Sequence, residues 1–251
     1  HVRWDIPAGK IGVVHGAAMA GGFAFQIKIK GHGGHGSRPD LSQSPIDCFH
    51  AFYGNLQAWR MRQINPSECL TISIGTVQAG SVYNVIPNEL FFGGSSRFFS
   101  YEKAGKKAFE DLTKMLQNEC DTYGCTYEIV RMKQPLLEVR NNDVCVDYAE
   151  KAIEKYMGKD HLYPVEAWMA SETFGLTLSL FPGVFTFTGI QNLEKGCGGN
   201  HHTPQFDIDE EGLRAGAAAG VGYTLELLKD QPHIDFTQNT EDPVQLGLRG
   251  M

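Results

Sequence analysis

Apolar and polar residues alternate between Phe23 and Lys30, and apolar residues then recur every three or four positions after Ser44. Alternation is typical of a β-strand with one buried face, whereas spacing by three or four is typical of an amphipathic helix. Serine followed by proline suits a helix start, because serine caps the first turn and proline is tolerated at its first position. The pattern therefore predicts a strand at about 22–30 and a helix at about 44–62.

The same two patterns continue to residue 131. They predict a strand containing Leu70, Ile72 and Ile74, strands at about 89–99 and 126–131, and a helix at 101–123 that Ser100 begins and Gly124 ends. The order is β-α-β-β-α-β, the split βαβ arrangement of a ferredoxin-like sandwich. We expect a four-stranded antiparallel sheet with both helices on one face, and an open edge strand that is covered or paired with a second copy.

From residue 135 the pattern changes to helices with too few strands to make a sheet of their own. The predicted elements are a helix from Asn142 or Asp143 to about Met157, a helical stretch at 171–180, a buried strand at 181–188 and a helix at 208–229. Asp207 and Glu210 resemble a capping box at the start of the last helix. One face of that helix carries an apolar stripe: Leu213, Ala217, Val221, Leu225 and Leu228.

Composition narrows the class of protein. A chain of 251 residues with 42% hydrophobic and 20% charged residues is ordinary for a globular protein. Its net charge of −7, with no basic block, argues against a nucleic-acid partner, and no apolar stretch is long enough to span a membrane. The six cysteines form no CxxC pair, which indicates reduced thiols and a cytoplasmic location.

A glycine-rich turn between the first strand and helix carries two histidines, His32 and His35. Four glycines in residues 31–36 allow the backbone to approach a ligand or another chain closely. Histidines held on such a turn are candidates for acid–base, metal or oxyanion chemistry. The alternative is a plain glycine-rich connection with two solvated histidines.

Other polar residues suggest a metal or a carboxylate ligand. His201 and His202, followed by Thr-Pro, could bind a metal, although zinc needs three or four ligands and only these two are local. Asn84 and Arg97 flank the strand at 89–99, and an amide with a guanidinium suits a carboxylate. Taken singly, they also fit a turn-forming asparagine and a surface ion pair, and Glu172 fits a solvated glutamate at a helix start.

Several stretches of this chain occur together, in the same order, in one known family. They are His1-Val2 with Pro7 and Gly12, Gly33 to Pro39 with Pro45-Ile46-Asp47, Gly80 to Pro87, Ser96-Arg97-Phe98, Ser171 to Phe174, Pro182-Gly183, and His202-Thr203-Pro204 with Phe206 and Asp209-Glu210. On these motifs, which cover nearly all of residues 1–229, the chain resembles the dinuclear metal-dependent amidohydrolases and exopeptidases. That family contains aminoacylases, hippurate hydrolases, indoleacetyl-amino-acid hydrolases and carboxypeptidase G, and the hippurate and indoleacetyl branch is the most similar.

The resemblance implies an α/β fold with an α+β lid. The family's zinc-peptidase-like catalytic domain is interrupted by a ferredoxin-like lid through which two copies form a homodimer. Four segments follow from this: 1–20 as a remnant of the catalytic domain leading into the lid, 21–133 as the lid and dimerisation domain, 134–230 as the C-terminal half of the catalytic domain, and 231–251 as a loose tail.

The resemblance also implies a chemistry. Two divalent metal ions, zinc or manganese, bridge a water, lower its pKa and polarise the amide bond of an N-acyl amino acid or small dipeptide. It assigns five residues: metal ligands His1 and His202, the lid residue His35 that stabilises the oxyanion in the partner subunit's site, and Asn84 and Arg97, which hold the substrate's carboxylate. Glu172, in the matching stretch Ser171 to Phe174, is a further candidate for substrate binding. We therefore expect the rings of His1 and His202 to approach each other.

The chain departs from the family pattern in ways that bear on activity. The family's Cys-Gly-His-Asp run and Glu-Glu pair, which supply the other metal ligands and the general base, are missing. Thr173 stands where this branch has Asp, and Ser95-Ser96 where it has Gly-Thr. Together with a first residue of His1, this leads us to expect the lid and the C-terminal catalytic half of a metal-dependent amidohydrolase, inactive alone. The alternative is a non-catalytic dimerisation or ligand-binding protein derived from that family.

Overall fold

The computed structural model describes residues 1–250. Within these residues the strands and helices are, in chain order, β1 (Val2–Pro7), β2 (Ile11–Val13), β3 (Ala17–Lys30), β4 (Gly34–His35), α1 (Pro45–Gln63), β5 (Leu70–Ala79), β6 (Val85–Ile86), β7 (Glu89–Phe98), α2 (Lys106–Tyr123), β8 (Thr126–Met132), β9 (Val139–Arg140), α3 (Asp143–Tyr156), β10 (Leu162–Tyr163), β11 (Trp168–Ser171), α4 (Phe174–Leu180), β12 (Thr186–Gln191), α5 (Glu211–Asp230) and α6 (Pro243–Gly247).

The chain divides into two compact units. The first contains residues 1–19, 139–168 and 173–240, and the second contains residues 20–138, 169–172 and those from 241 onward. Each unit is described by itself below.

The second unit contains the ferredoxin-like sandwich that the sequence predicts. Its strands follow the order β8-β3-β7-β5, and every neighbouring pair is antiparallel. Phe25, Ile27 and Ile29 of β3 are buried in a core shared with α1 and α2, whereas Gln26 and Lys30 are exposed. Burial of alternate residues places both helices on one face of the sheet. The predicted α+β lid fold is confirmed.

Local sequence signals set the helix ends in this unit. The Ser44 hydroxyl accepts a hydrogen bond from the Asp47 amide at 3.2 Å at the start of α1. The Ser100 hydroxyl likewise accepts one from the Lys103 amide at 3.3 Å, where a π-helical turn over Tyr101–Gly105 leads into α2. Gly124 ends α2 with φ 66°, a conformation that glycine adopts without steric cost.

The first unit is a small mixed sheet packed against two helices. Its strands follow the order β1-β12-β2-β10, in which β1 and β12 are parallel, β12 and β2 antiparallel, and β2 and β10 parallel. The core where α3 and α5 meet this sheet contains four buried residues: Ile11, Ile153, Ala215 and Ala219. This arrangement places the start of β1 beside the strand that leads into the 192–210 loop.

Helix α5 differs from the sequence prediction in its start and in its buried face. It begins at Glu211 rather than 208, and the Asp209 carboxylate, not a capping box, accepts the Glu211 amide at 3.2 Å. The buried face is Gly212, Ala215, Ala219, Gly222 and Glu226. The predicted apolar stripe faces outward, with Leu213 and Leu228 56% and 67% exposed. Small residues form the buried face because they let the helix approach the sheet closely. A Cβ on Gly212 would lie 2.6 Å from the Gly189 carbonyl oxygen.

Glu226 is a fully buried carboxylate between α5 and α3. It accepts hydrogen bonds from the Lys155 ammonium and, at 2.8 Å, from the Tyr156 hydroxyl, and the Lys151 ammonium lies 3.2 Å from its second oxygen. The hydrogen bond from Lys155 is the main cause that lowers the pKa of Glu226 to about 2. A buried charge is tolerated here because cations and a hydroxyl replace the lost water.

Two further element boundaries differ from the sequence prediction, and so does the segment predicted as a tail. Helix α4 begins at Phe174, so residues 171–173 are not helical, and the strand predicted from 181 begins at Thr186. Phe181 is 61% exposed, and the carbonyl of Gly183 instead accepts the Asn142 amide at the start of α3. In the segment predicted as a loose tail, α6 buries Leu246.

None of the helices in the described part of the chain combines the length and apolar character needed to cross a membrane.

Candidate functional site

The ring of His1 lies at the edge of the first unit's sheet and is oriented by the backbone carbonyl of Val2. The His1 carbonyl accepts the Thr188 amide at 2.8 Å, and Nδ1 of the ring lies 2.7 Å from the Val2 carbonyl oxygen. A carbonyl oxygen only accepts, so Nδ1 carries a proton, and in the neutral ring Nε2 is the nitrogen with the lone pair. A hydrogen bond from Nδ1 to a backbone carbonyl is the usual arrangement for a histidine that binds a metal through Nε2.

The imidazole next to His1 is that of His201. The two rings meet edge to face with centroids 5.4 Å apart, and His201 also packs against Trp168 at 5.2 Å and Phe206 at 5.1 Å. Nε2 of His201 is buried and has no hydrogen-bond partner among the described residues. Burial lowers the pKa of the His201 imidazole, and charge on His1 and His202 lowers it further, which favours the neutral form that binds metals.

His202 occupies a different position from the one expected. Its φ is 61°, in the left-handed region, and its side chain is exposed. Over the described residues, its ring makes no contact with that of His1, so the expected approach of these two rings is replaced by that of His1 and His201. The physical reason is that the aromatic pair of Trp168 and Phe206 encloses the first histidine of the loop. The ligand role of His202 remains a prediction.

The loop that carries both histidines is fastened at its base. Asn192 and Cys197 exchange backbone hydrogen bonds of 2.7 and 2.9 Å. The buried Asp209 carboxylate accepts from the Asn192 amide group at 2.6 Å and the Lys195 ammonium at 2.9 Å. The hydrogen bond from Lys195 is the first cause that lowers the pKa of Asp209 to about 2. The loop is therefore held by a charged anchor that keeps its ionisation over the physiological pH range.

Arg3 and Asp5 lie on the same face of β1 as His1, and the sequence analysis missed them. The Arg3 guanidinium sits between the rings of Trp168 and Phe187, 5.3 and 5.1 Å from their centroids, and donates two hydrogen bonds of 2.8 and 2.5 Å to Asp5. These bonds hold the pKa of Asp5 below its usual range. Alternation along β1 could have placed both residues beside His1, but nothing in the sequence indicates that Trp168 packs against them.

The two imidazoles fit part of a metal coordination sphere. Structural and catalytic zinc sites use at least three protein ligands, and Nε2 of His1 and of His201 offers two. Over residues 1–250, one group of three metal-capable side chains has its ligand atoms within 4.8 Å of one another, and its members are His15, Asp147 and Glu150 rather than His1. The first unit therefore presents two neighbouring imidazoles, and no group of three metal-capable side chains among the described residues includes them.

The second unit brings His35 and Asn84 together. Strands β4 and β6 pair so that His35 is opposite Val85, and the Asn84 carbonyl accepts the Gly36 amide at 2.9 Å. Both side chains are exposed at the end of the sheet where Lys30 pairs with Glu89.

Arg97 lies at the opposite end of the same sheet. It is eight residues beyond Glu89 along β7, a distance of about 26 Å at roughly 3.3 Å per residue. Its guanidinium donates to the Ser96 carbonyl at 2.9 Å, and it pairs across the sheet with Gly22. One protomer therefore does not place Asn84 and Arg97 on one small ligand. Glu172 lies half-buried in the turn between β11 and α4.

Comparison with known proteins adds the family. Residues 18–124 match the model of the peptidase dimerisation domain, M20_dimer. The chain is 30% identical over 219 residues to thermostable carboxypeptidase 2 of Saccharolobus solfataricus, and 32% identical over 213 residues to N-acetylcysteine deacetylase of Bacillus subtilis. These matches support the assignment of the chain to the M20 amidohydrolase family. The M20 match falls on the ferredoxin-like lid.

A solved M20 structure has the same fold. The YxeP protein of Bacillus subtilis, described as a dinuclear metal-binding peptidase of the M20 family, superposes with a TM-score of 0.67 at 26% identity, over 91% of this chain and 56% of that one. The carboxypeptidase match covers 87% of this chain and 55% of the relative, and the deacetylase match covers 85% and 54%. The chain thus spans about half the length of the M20 relatives it matches.

Proposed function

We propose that the complete polypeptide is a metal-dependent amidohydrolase that cleaves the amide bond of N-acyl amino acids or small dipeptides. The observation that carries the proposal is the pairing of His1 and His201, each with Nε2 available, in a chain of the M20 family. Zinc or manganese ions, when bound, supply an activated water and polarise the amide carbonyl. The ligands beyond the histidines come from the part of the complete protein that this chain does not span.

The substrate class follows from what the relatives share. A carboxypeptidase and an N-acetylcysteine deacetylase both act next to an amino acid, so their substrates carry a carboxylate beside the scissile amide. We assign recognition of that carboxylate to Asn84 and Arg97, because an amide and a guanidinium donate to it without competing charge. Glu172 completes the substrate-binding set, and His35 donates a hydrogen bond to the oxygen on which negative charge develops.

The distance between Asn84 and Arg97 supports a site shared by two copies. Glu89, at the end of the sheet where Asn84 lies, is about 26 Å from Arg97 along β7, so Asn84 and Arg97 of one protomer cannot both bind one carboxylate. In a homodimer, His35 and Asn84 of one protomer can meet Arg97 of its partner at the same substrate. Closed two-fold symmetry then produces two equivalent sites.

The chemistry of the two sheet edges favours β5 as the dimer contact. Strand β5 is ten residues long and has no charged residue, whereas β8 carries Glu128, which pairs with Lys30, and Arg131. Natural edge strands avoid association by means of charge, so an uncharged edge of this length is suited to pairing. Near it, α1 exposes Tyr53 and Met61, while the outer face of α2 is polar.

The shared site is tested by mixing two inactive variants of the complete protein. His35→Ala and Arg97→Ala homodimers each carry a lesion at both sites. A mixed dimer has both lesions at one site and none at the other, so random mixing should restore about a quarter of wild-type kcat. If the mixture stays as inactive as either parent, His35 and Arg97 of one protomer serve the same site and the shared arrangement is contradicted.

The metal proposal is tested by metal content rather than by rate alone. The complete protein is loaded with zinc, dialysed and analysed by mass spectrometry of the metal. His1→Ala and His201→Ala should each lower the bound zinc, and His202→Ala tests the metal ligand that the resemblance to the family implies. His50→Ala is the matched control, because His50 is exposed on α1 and belongs to no group of three metal-capable side chains among the described residues. Unchanged zinc in both His1→Ala and His201→Ala would contradict the assignment.

A further inference from the structure

The ring of His35 receives two hydrogen bonds at the same nitrogen, both from Ser37. The Ser37 backbone amide lies 3.1 Å from Nδ1, and the Ser37 hydroxyl lies 2.7 Å from the same atom. A backbone amide can only donate, so Nδ1 must carry a lone pair and the ring proton must reside on Nε2. The Ser37 hydroxyl, which could otherwise accept, then also donates to Nδ1.

The backbone around these two residues is fixed by its own hydrogen bonds. The His35 carbonyl accepts the Arg38 amide at 2.9 Å, which closes a turn over residues 35–38, and the Gly36 amide donates to the Asn84 carbonyl at 2.9 Å. The base of the loop is closed by a reciprocal backbone pair between His32 and Gln43, at 3.0 and 2.8 Å. Inside such a turn the amide of the third residue is free of the turn bond, and here it points at Nδ1.

The geometry points to Ser37 as a positioning residue that holds His35 in the Nε2–H tautomer. This inference rests on the proposed function, in which His35 donates to the developing negative charge on the substrate. A donor for that charge must present N–H, not a lone pair, on the outward side of the ring. Ser37 supplies this by occupying Nδ1 from within the turn, which leaves Nε2–H directed away from it.

The tautomer is measured directly, without reference to activity. In the complete protein labelled with ¹⁵N at histidine, two-bond correlation spectra identify which ring nitrogen of neutral His35 carries the proton; His35→Gln provides the assignment. We expect Nε2–H in the wild type, and a shift of the Nδ1 resonance in Ser37→Ala that Ser37→Thr does not show. A wild-type His35 with its proton on Nδ1 overturns the inference.

Kinetics then separate positioning from folding. Losing one neutral hydrogen bond to the ring should lower kcat of Ser37→Ala about three- to tenfold with KM unchanged, and Ser37→Thr should restore it. Ser42→Ala is the matched control, since Ser42 is another serine of this loop whose hydroxyl bonds to the Pro39 carbonyl at 2.8 Å and not to His35. If Ser37→Ala matches the wild type in both kcat and the Nδ1 resonance, Ser37 has no positioning role.

A second pair of variants tests the nitrogen that acts. The side-chain amide nitrogen of glutamine reaches the place of Nε2, whereas that of asparagine mimics Nδ1. His35→Gln should therefore keep at least about tenfold more kcat than His35→Asn. The reverse order contradicts the inference. A wild-type protein that shows Nε2–H yet no metal-dependent hydrolysis would instead refute the proposed function and leave the tautomer assignment standing.

Discussion

Replacing Asn141 by alanine should destabilise the first unit more than any single surface change. The Asn141 side chain is 4% exposed and makes three hydrogen bonds. Its amide donates to the carbonyls of Val14 at 2.8 Å and Phe185 at 3.0 Å, and its oxygen accepts the Phe185 amide at 2.7 Å. One side chain thus joins the end of β2 to the segment that leads into β12.

The magnitude follows from these bonds. Each contributes about 1 kcal/mol net, and a buried backbone group left without a partner costs about 1–3 kcal/mol. Asn141→Ala should therefore lower the free energy of unfolding by about 3–5 kcal/mol. With an m-value of about 2 kcal/mol/M in urea, the midpoint should fall by about 1.5–2.5 M.

Urea unfolding at pH 7, followed by circular dichroism and tryptophan fluorescence, measures this loss. Asn118→Ala is the control, because Asn118 is exposed on α2, and its midpoint should move little. Asn141→Asp adds a test of mechanism. Its second carboxylate oxygen would face two carbonyl oxygens, which raises the carboxyl pKa in the folded state. The destabilisation should therefore shrink as the pH falls below that raised pKa. A loss below about 1 kcal/mol in Asn141→Ala, equal to that of the control, would show that these three hydrogen bonds do not stabilise the first unit.

Three further predictions concern charge, backbone conformation and assembly. Because the pKa of Glu226 is lowered from 4.5 to about 2, the stabilisation by its carboxylate is complete above pH 4.5 and is lost as the pH falls toward 2. Urea midpoints measured over this pH range should show this dependence in the wild type and a weaker one in Glu226→Gln. Gly124→Ala should lower the free energy of unfolding by about 1–2 kcal/mol, because residue 124 has a φ of 66°. Gly54→Ala, within α1 and with open space around an added Cβ, should raise it by about 0.5–1 kcal/mol. Equal changes in the melting temperatures of the two variants would contradict this prediction. Val77→Lys on β5 should weaken the dimer in light scattering, while Val130→Lys on β8, at the same 49% exposure, should not, and the opposite result would move the interface to β8.

The lid could be predicted from the sequence because its signals are local. Ser44 with Pro45, and Gly124 after an apolar stripe, fix helix ends within a few residues, and alternation fixes the strands. The β-α-β-β-α-β order then leaves few topologies. Over this domain, the resemblance to the family is confirmed by the match of residues 18–124 to the M20_dimer model. Its motifs lie on the turns between these strands and helices.

The first unit was harder because its burial depends on distant partners. The leucine stripe of α5 has the stronger helical periodicity, yet Gly212 and Ala215 form the buried face, since only small side chains allow the close approach to β12. Likewise, no periodicity predicts that Glu226 is buried, because its lysine partners lie about seventy residues away on α3.

The candidate site was predicted in part for the same reason. His1, His35 and Asn84 lie at strand ends and turns, whose positions the hydrophobic pattern of the sequence predicts. Which of the His201 and His202 rings lies beside His1 depends on the left-handed backbone of His202 in an irregular loop, which no propensity for histidine indicates. The aromatic side chains that enclose His201 come from positions far apart in sequence.

The central claim is that this chain contributes two imidazoles to a metal site that hydrolyses N-acyl amino acids. The most direct measurement is the rate of amide cleavage by the complete protein, on a panel of N-acetyl and N-benzoyl amino acids, before and after chelation and then with zinc or manganese restored. The account predicts cleavage that chelation abolishes and metal restores, with His1→Ala inactive throughout. Cleavage that persists without metal, or no cleavage of any member of the panel by the metal-loaded protein, would contradict it.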